Sequence, residues 1–349
     1  ISHSLLLLQR SDIDISLKDF EGYTAFELYK TVEGTKPSVN VSGAELNATL
    51  GLGDGDDRTY PNQVVIPRRD SSDSSNIHAK FFPLQVRQVQ TSKLHTVIVT
   101  CEKKVNLRLC GFGSGGWLGP GQHTQYSLTP LSQLNQTIVS VPLGQDHTLA
   151  LTNTGEVLSW GLNQFAQLGY IVETSSIASI GRIEGPIQSA LKKIVGQLKK
   201  EFVRGVAASK TSSACWTVME VFTWGTNNGQ LGYDKSAQPI QVLPRKVTKT
   251  TKRVTSVCLT DAAMICLLVM QEVICVWSDQ SFKIKSQIQP YRPPQAIKGA
   301  HVSKIINCDD TVAALFSNGE IFLLVIPMLT EAEGSPPSSK AFVPQPAWP

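Results

Sequence analysis

The sequence predicts a mainly β protein folded as a β-propeller, because three features repeat along the chain. The first is a short apolar strand entered by a small polar triplet. The second is a partner strand across a hairpin turn, and the third is a loop that closes on Leu-Gly. Together they recur about every fifty residues, a period typical of propeller blades. Radial repetition of such hairpins leaves few strand edges exposed.

The first repeated strand has five copies along the chain. Short apolar runs of this kind, bounded by polar residues, predict strands rather than helices. With an additional Leu-Gly loop near residue 50, the copies amount to five or six blades. The second residues of the five polar triplets are His95, His147, Ser212, Ala262 and Asp310.

The partner strand begins after a turn that contains Asn and Gly, as in Asn153-Thr154-Gly155. These residues favour the positive φ angles of tight hairpin turns. The best copies of the partner strand end in Trp-Gly, and weaker copies keep the same spacing. The five copies occupy residues 106–111, 156–161, 221–225, 272–277 and 320–324.

The loop that follows closes on Leu-Gly in four places, of which Leu168-Gly169 is one. Glycine permits a tight backbone turn where strands converge, and the leucine anchors the loop to the core. We therefore assign a structural role to the positions that recur in these motifs. They are Gly43, Gly51, His95, Gly111, Gly119, His147, Trp160, Gly161, Gly169, Trp224, Gly225 and Gly232.

Three motifs resemble the regulator-of-chromosome-condensation repeat: Trp-Gly, His-Thr and the Leu-Gly-Leu-Gly-Asp run at 50–54. The resemblance covers roughly residues 38–326 and implies a propeller of up to seven blades. Ser42 and Cys110 replace the Trp of the best copies, and the last two copies lack the glycines. Since fewer than seven blades can be counted, we expect closing blades beyond Pro349. We place the propeller at 37–328 and a flexible Pro/Ser-rich segment at 329–349.

The first 36 residues differ from the repeats that follow. Segment 18–28 resembles the turn that opens an ankyrin-repeat helix, and Leu5 to Leu8 fit the end of a preceding helix. We interpret residues 1–36 as the end of an ankyrin array, because an isolated repeat cannot bury a core. The chain starts with Ile1, so we expect it to be part of a longer protein with more ankyrin sequence before it.

Ankyrin repeats followed by condensation-regulator repeats resemble the order in proteins similar to the inhibitor of Bruton's tyrosine kinase. That resemblance implies BTB domains downstream, a cullin-3 ubiquitin ligase recruited through them, and ubiquitination substrates bound by this region. It also implies a cytoplasmic or nuclear location. The alternative is the role of the repeat's namesake, a guanine-nucleotide exchange factor or chromatin-binding propeller for a Ran-like GTPase. The sequence does not identify partner-binding residues.

Composition argues against several other classes of protein. Apolar residues make up 41% of the chain and charged residues 17%, which predicts a folded core. A net charge of +4 over 349 residues argues against a dedicated nucleic-acid binder. No apolar run approaches the roughly 20 residues that span a bilayer. The seven cysteines contain no Cys-x-x-Cys pair and indicate reduced thiols in the core of an intracellular protein.

No catalytic, cofactor-binding or metal-binding residue is predicted, and we expect no small-molecule substrate. The glycine-rich run 111–116 imitates a dinucleotide fingerprint, but Trp117-Leu118-Gly119-Pro120 follows it in place of a helix. His95 and His147 are equivalent and could form a metal or acid-base site, yet no third ligand stands at a suitable spacing. We favour a hydrogen-bonding role that ties adjacent strands together.

Three further segments have both a structural and a functional interpretation. An acidic turn could bind a cation but also fits a solvated loop; its residues are Asp54, Asp56 and Asp57. A basic stretch could touch acidic partners or phosphates but lacks stacking aromatics; its residues are Lys246, Lys249, Lys252 and Arg253. Residues 189–202 have apolar side chains at helical spacing, which predicts a short amphipathic helix on a loop between blades.

Overall fold

The structure of the chain, a computed structural model, describes residues 39–64, 66, 85–102, 105–121, 123–173, 185–248, 252–284, 301–326 and 345–346. These residues form five four-stranded antiparallel blades and one two-stranded sheet. The predicted mainly β propeller is therefore confirmed. The predicted ankyrin segment 1–36 lies outside the described residues, as does 329–349 apart from 345–346.

Each blade is a meander whose four strands are hydrogen-bonded in chain order. Blade 1 contains β3 (Val86–Thr91), β4 (His95–Thr100), β5 (Leu107–Gly111) and β6 (Gln125–Pro130). Blade 2 contains β7 (Ile138–Ser140), β8 (His147–Thr152), β9 (Val157–Leu162) and β10 (Ile187–Lys193). Blade 3 contains β11 (Gly205–Ala208), β12 (Ser212–Trp216), β13 (Val221–Thr226) and β14 (Ile240–Lys246).

The last two blades follow the same order with shorter outer strands. Blade 4 contains β15 (Val254–Leu259), β16 (Ala263–Leu268), β17 (Val273–Trp277) and β18 (Gln280–Ile284). Blade 5 contains β19 (Val302–Cys308), β20 (Thr311–Phe316), β21 (Ile321–Val325) and β22 (Gln345–Pro346). The first strand of blade 4 contacts the first strands of blades 3 and 5, which places the first strands of these blades innermost.

The two-stranded sheet is the outer half of a further blade. It consists of β1 (Asn40–Gly43) and β2 (Arg58–Gln63). Gly43 has a φ of 132° and Gly111, at the end of a third strand, has a φ of 134°. After β1, Leu50 N–H donates to Glu45 Oε2 (2.8 Å), as Leu168 N–H donates to Asn163 Oδ1 (3.0 Å) in blade 2. β1 and β2 thus correspond to third and fourth strands.

The core lies between neighbouring blades. Every residue of the second strands β4, β8, β12 and β16 is buried, whereas the fourth strands are largely exposed. A strand covered on both faces needs apolar or paired side chains at consecutive positions rather than in alternation. This is why the second strands appear in the sequence as continuous runs, such as Met264-Ile265-Cys266-Leu267-Leu268.

The repeat alignment shifts by one residue in the last two blades. His147 pairs with Gly161, and the equivalent pairs are Ala263 with Trp277 and Thr311 with Val325. The predicted equivalents Ala262 and Asp310 were therefore wrong by one position. The backbone hydrogen bonds of the preceding turn decide the register. The register matters because a slip of one residue would turn every side chain to the other face of the sheet.

The predicted amphipathic helix at 189–202 is also wrong. The segment continues the edge strand β10, in which Lys192 pairs with Ser159, and then forms a 3₁₀ helix at Gly196–Lys200. Gly196, the first residue of the 3₁₀ helix, has a φ of 74°. Ile194 and Leu198 are buried as their spacing suggested, but apolar spacing over so short a segment does not distinguish a helix from a strand with a turn.

Candidate functional site

The two buried histidines lie at the contacts between successive blades. His95 Nε2 of blade 1 is 2.9 Å from Thr148 Oγ1 of blade 2, and His147 Nε2 is 2.9 Å from Ser213 Oγ of blade 3. Each hydroxyl donates its own proton to a backbone carbonyl, so it accepts from the imidazole, whose Nε2 must carry the hydrogen. The histidines therefore act as neutral hydrogen-bond donors that join neighbouring blades.

The carbonyls that receive these protons also bind the repeat tryptophans. Trp160 Nε1 donates to Trp117 O and Trp224 Nε1 donates to Gln167 O, each at 2.8 Å. Both acceptors directly precede the Leu of a Leu-Gly loop on the preceding blade. We call this set of His, hydroxyl, Trp and loop carbonyl the inter-blade relay. At Cys110, where Trp is replaced, the thiol approaches Thr49 O at 3.7 Å, so a weaker donor takes the indole's place.

The repeat glycines occupy positive-φ positions beside these contacts. At Gly161, with a φ of 117°, a Cβ would lie 2.6 Å from Asp146 O, so only glycine fits between the two strands. The other repeat glycines also have positive φ, between 73° and 134°. They are Gly43, Gly51, Gly111, Gly119, Gly169, Gly225 and Gly232.

Burial fixes the protonation of the relay. Desolvation lowers the pKa of His147 to about 3, and desolvation together with the charge of His147 lowers the pKa of His95 to about 3. Both rings are therefore neutral near pH 7. Burial raises the pKa of the Cys110, Cys258 and Cys275 thiols to about 12, which leaves them without nucleophilic character at neutral pH. All seven cysteines are free, and five of them are buried.

One end of the propeller, which we call the loop face, carries the turns between first and second strands and the Leu-Gly loops. Asp261 lies on it and joins two blades, because its Oδ1 accepts from Lys210 N–H (3.0 Å) and its carbonyl from Asn228 Nδ2 (2.9 Å). Burial raises the pKa of Asp146, and burial followed by the charges of Asp261 and Asp309 raises that of Asp310. This face has a mixed-charge surface.

The opposite end, which we call the turn face, carries the turns between second and third strands. There a Glu at the start of the third strand pairs with a Lys on the fourth strand in three successive blades. The pairs are Glu156–Lys193, Glu220–Lys246 and Glu272–Lys283, and Lys252 also binds Glu272. Each fourth-strand Lys lies opposite the residue two positions after the Glu. Sequence reasoning missed this repeat, although its signal is the Glu that directly precedes the third strands of blades 2 to 5.

A pocket of about 260 Å³ opens on the turn face between blades 2 and 3. Its floor is apolar and contains the buried side chains of Ile194, Leu198 and Val203. Phe202 forms one wall and packs against Gly155, where a Cβ would lie 2.7 Å from the ring. We call it the blade 2/3 pocket. Sequence reasoning missed it, because it depends on the 3₁₀ helix that was predicted as part of a longer helix.

The remaining candidate sites have structural explanations. The run 111–116 leads through turns into β6 rather than into a helix, so the context of a dinucleotide site is missing. Asp54 pairs with Arg58 (2.6 Å), and Asp57 accepts from Glu45 N–H (2.7 Å). Within the described ranges, no group of three or more His, Cys, Asp or Glu side chains could hold a metal ion. In the basic stretch Lys246 and Lys252 are paired, and Lys249 lies outside the described residues.

Over the part of the chain that the structure describes, no helix has the length and apolar character needed to cross a bilayer.

Comparison with known proteins agrees with the repeat assignment. The family model of the regulator of chromosome condensation (RCC1) repeat matches residues 138–167, which contain His147, Trp160 and Gly161. The chain is 26% identical to BTB/POZ domain-containing protein 1 of Schizosaccharomyces pombe over 338 residues, 92% of this chain and 24% of that protein. It is 29% identical to the human Inhibitor of Bruton tyrosine kinase over 296 residues, 80% of this chain and 20% of that protein. The chain thus spans about a quarter or less of these relatives.

Solved structures show the same fold. Human WBSCR16 matches with a TM-score of 0.63 and 19% identity over 82% of this chain and 71% of its own. Prp20p of Saccharomyces cerevisiae, described with its binding to Gsp1p and histones, matches with a TM-score of 0.60 and 14% identity over 87% of this chain and 70% of its own. At these identities the likeness shows the fold alone, an RCC1-type β-propeller. The relatives confirm the predicted resemblance in part, since none of these findings concerns ankyrin repeats.

Proposed function

We propose that this propeller is a protein-interaction module and forms the substrate-binding region of a BTB-type cullin-3 ubiquitin ligase adaptor. The observation that carries the proposal is the alignment of 92% of the chain with a protein named for its BTB/POZ domain. The propeller would bind the protein to be ubiquitinated, and BTB domains elsewhere in the longer protein would recruit cullin-3. We place this assembly in the cytoplasm or nucleus.

The chemistry of the described residues supports binding rather than catalysis. The buried histidines and tryptophans are occupied with inter-blade hydrogen bonds, and the buried thiols are protonated at neutral pH. What remains for recognition is the exposed surface of the two faces. Rigid scaffolds that present varied loops in this way are common in binding modules.

A second candidate is an exchange factor or chromatin-binding propeller for a Ran-like GTPase. The observation that favours it is the fold shared with Prp20p, which is described as binding Gsp1p and histones. Fold likeness at 14% identity carries little functional weight, because one fold supports many functions. We therefore rank this candidate second.

Affinity purification of the full-length protein, with and without residues 39–326, tests the two candidates. The expected result is that cullin-3 stays bound to both forms while a defined set of other proteins is lost with the deletion. Recovery of a small GTPase or histones with the propeller, and of no cullin, would contradict the ligase proposal. Nucleotide release from that GTPase would then be measured directly.

A further inference from the structure

We propose that the blade 2/3 pocket is a docking site for an acidic peptide segment that carries one large apolar side chain. The inference rests on the proposed function as a protein-interaction module and specifies the surface and the chemistry of the partner. The apolar side chain would enter the pocket, and carboxylates on either side of it would pair with lysines at the rim.

The size and lining of the pocket fit a single side chain. Its volume of 260 Å³ lies below the roughly 300 Å³ at which small-molecule sites begin. Ile194 and Val203 are 1% and 2% exposed and lie beneath the pocket, so Phe202, which is 55% exposed, offers most of its accessible apolar surface. An exposed aromatic ring beside a concave apolar floor is the arrangement that buries an anchor residue of a partner.

The charge around the pocket identifies the kind of segment. Between residues 192 and 204 the chain has five basic side chains and one acidic side chain. Lys199 and Lys200 are exposed and line the pocket, and among the described residues neither takes part in an ion pair. The Arg204 guanidinium lies 5.5 Å from the Phe202 ring centroid and adds a third cation at this edge. Unpaired cations beside an apolar floor complement carboxylates that flank an apolar residue.

Two carboxylates in the same wall argue against a phosphate-dense ligand. Glu156 is held by Lys193 and by Gln136 Nε2 (2.5 Å), and Glu201 stands beside the two free lysines. They reduce the local positive charge, so spaced carboxylates fit better than a nucleic acid or a charged lipid headgroup. Base stacking would also need several aromatic rings, and Phe202 is the only one in the lining.

The pocket is held firmly enough to be preorganised. Val203 N–H, on the connection between the 3₁₀ helix and β11, donates to Gly155 O (3.1 Å), and Ile194 N–H donates to Val157 O (2.9 Å). Gln197 Oε1 accepts from Lys246 N–H (3.2 Å), which ties the 3₁₀ helix to blade 3. A partner would therefore not have to order this surface on binding.

Fluorescence polarisation with the full-length protein tests the proposal. The probe is a fluorescein-labelled peptide, Glu-Asp-Glu-Phe-Glu-Asp-Glu, compared with a peptide in which Ala replaces Phe. We expect the K199E/K200E variant to bind the Phe peptide about tenfold more weakly, equivalent to about 1.4 kcal/mol. The Phe202→Ala variant and the Ala peptide should each lose affinity by a similar factor.

The matched control is K93E/K304E, which changes the net charge equally at exposed lysines of blades 1 and 5. It should change affinity less than twofold, and circular dichroism should show all variants folded. The proposal would be overturned if the Phe and Ala peptides bound equally, if the control variant lost as much affinity as K199E/K200E, or if binding did not saturate. It would also be overturned if the protein bound neither peptide but bound phosphatidylserine vesicles and lost that vesicle binding in K199E/K200E. If the site fails while residues 39–326 still retain partners in the purification, the proposed function stands with a different surface.

Discussion

The contacts among blades 1 to 3 are hydrogen-bonded, whereas the contact between blades 3 and 4 is apolar. At the first two blade contacts a histidine, a hydroxyl, an indole and a loop carbonyl are hydrogen-bonded across the interface. In blade 4 the positions of the hydroxyl and the indole are Met264 and Val276, which pack in an apolar cluster with blade 3. At the apolar contact the hydroxyl and the indole of the relay are thus replaced together.

The physical reason is the asymmetry of buried hydrogen bonds. A satisfied buried bond contributes only about 1 kcal/mol, whereas one partner left alone costs about 1–3 kcal/mol. Replacing all partners by apolar groups avoids that cost. Blade 4 also lacks the Leu-Gly loop. Ser278 and Asp279, both at positive φ, form a two-residue hairpin in its place.

The largest expected effect comes from breaking the relay at its indole. Trp224→Ala removes a fully buried ring that fills the blade 2/3 interface, and should lower the free energy of unfolding by about 3–5 kcal/mol. Trp224→Phe keeps an aromatic ring and leaves Gln167 O with the Ser213 hydroxyl as donor, so the loss of the indole bond should cost about 1 kcal/mol. Urea unfolding followed by circular dichroism measures both. A cost near zero for Trp224→Phe would show that the indole bond contributes nothing.

Acid should weaken the relay blades selectively. The pKa of His95 and His147 is about 3 in the fold, against 6.5 for a histidine exposed to water, so the unfolded chain binds more protons between these values. Stability therefore falls as the pH falls below 6.5, by about 2 kcal/mol per histidine between pH 7.5 and pH 5. Hydrogen exchange at the two pH values should show blades 1 to 3 losing more protection than blades 4 and 5. The His147→Gln variant should reduce the slope, and an unchanged slope would contradict the assignment.

A double-mutant cycle sharpens the comparison at a single contact. His147→Ala and Ser213→Ala should be coupled by about 1 kcal/mol, because each change removes the same hydrogen bond. The equivalent cycle at the apolar contact, Ser212→Ala with Met264→Leu, should show coupling close to zero, since the Ser212 hydroxyl bonds within its own blade. Equal coupling in the two cycles would remove the distinction between the two regions.

The smallest effect is expected for the repeated ion pairs of the turn face. Lys246 and Glu220 have side chains 51% and 29% exposed, so water screens their attraction. Lys246→Met should change the free energy of unfolding by less than about 0.5 kcal/mol. The same urea titration measures it, and a loss comparable to that of Trp224→Phe would mean that these pairs contribute as much as the relay.

Much of the propeller could be predicted from local sequence, and the errors have a common cause. The Trp-Gly and Leu-Gly motifs located the ends of the third strands to within one residue in blades 1 to 3, since their glycines hold positive φ angles that glycine adopts without steric cost. The one-residue shift at Ala263 and Thr311 arose where those motifs are lost. The helix predicted at 189–202 was wrong in the stretch of blade 2 that follows Leu168-Gly169 and carries neither motif. There, pairing with the neighbouring strand sets the register, and that information is not local.

The sequence by itself determined that the chain repeats, that each repeat contributes apolar hairpins, and that His95, His147, Trp160 and Trp224 belong to equivalent positions. Only the tertiary structure decided what those positions do. The partners of each histidine and tryptophan lie on another blade, 43 to 66 residues away in sequence, so no local pattern identifies them. The blade 2/3 pocket has the same origin, because the turn at 154–156 and the connection at 193–203, which line it, are about forty residues apart in sequence and meet only in the folded blade.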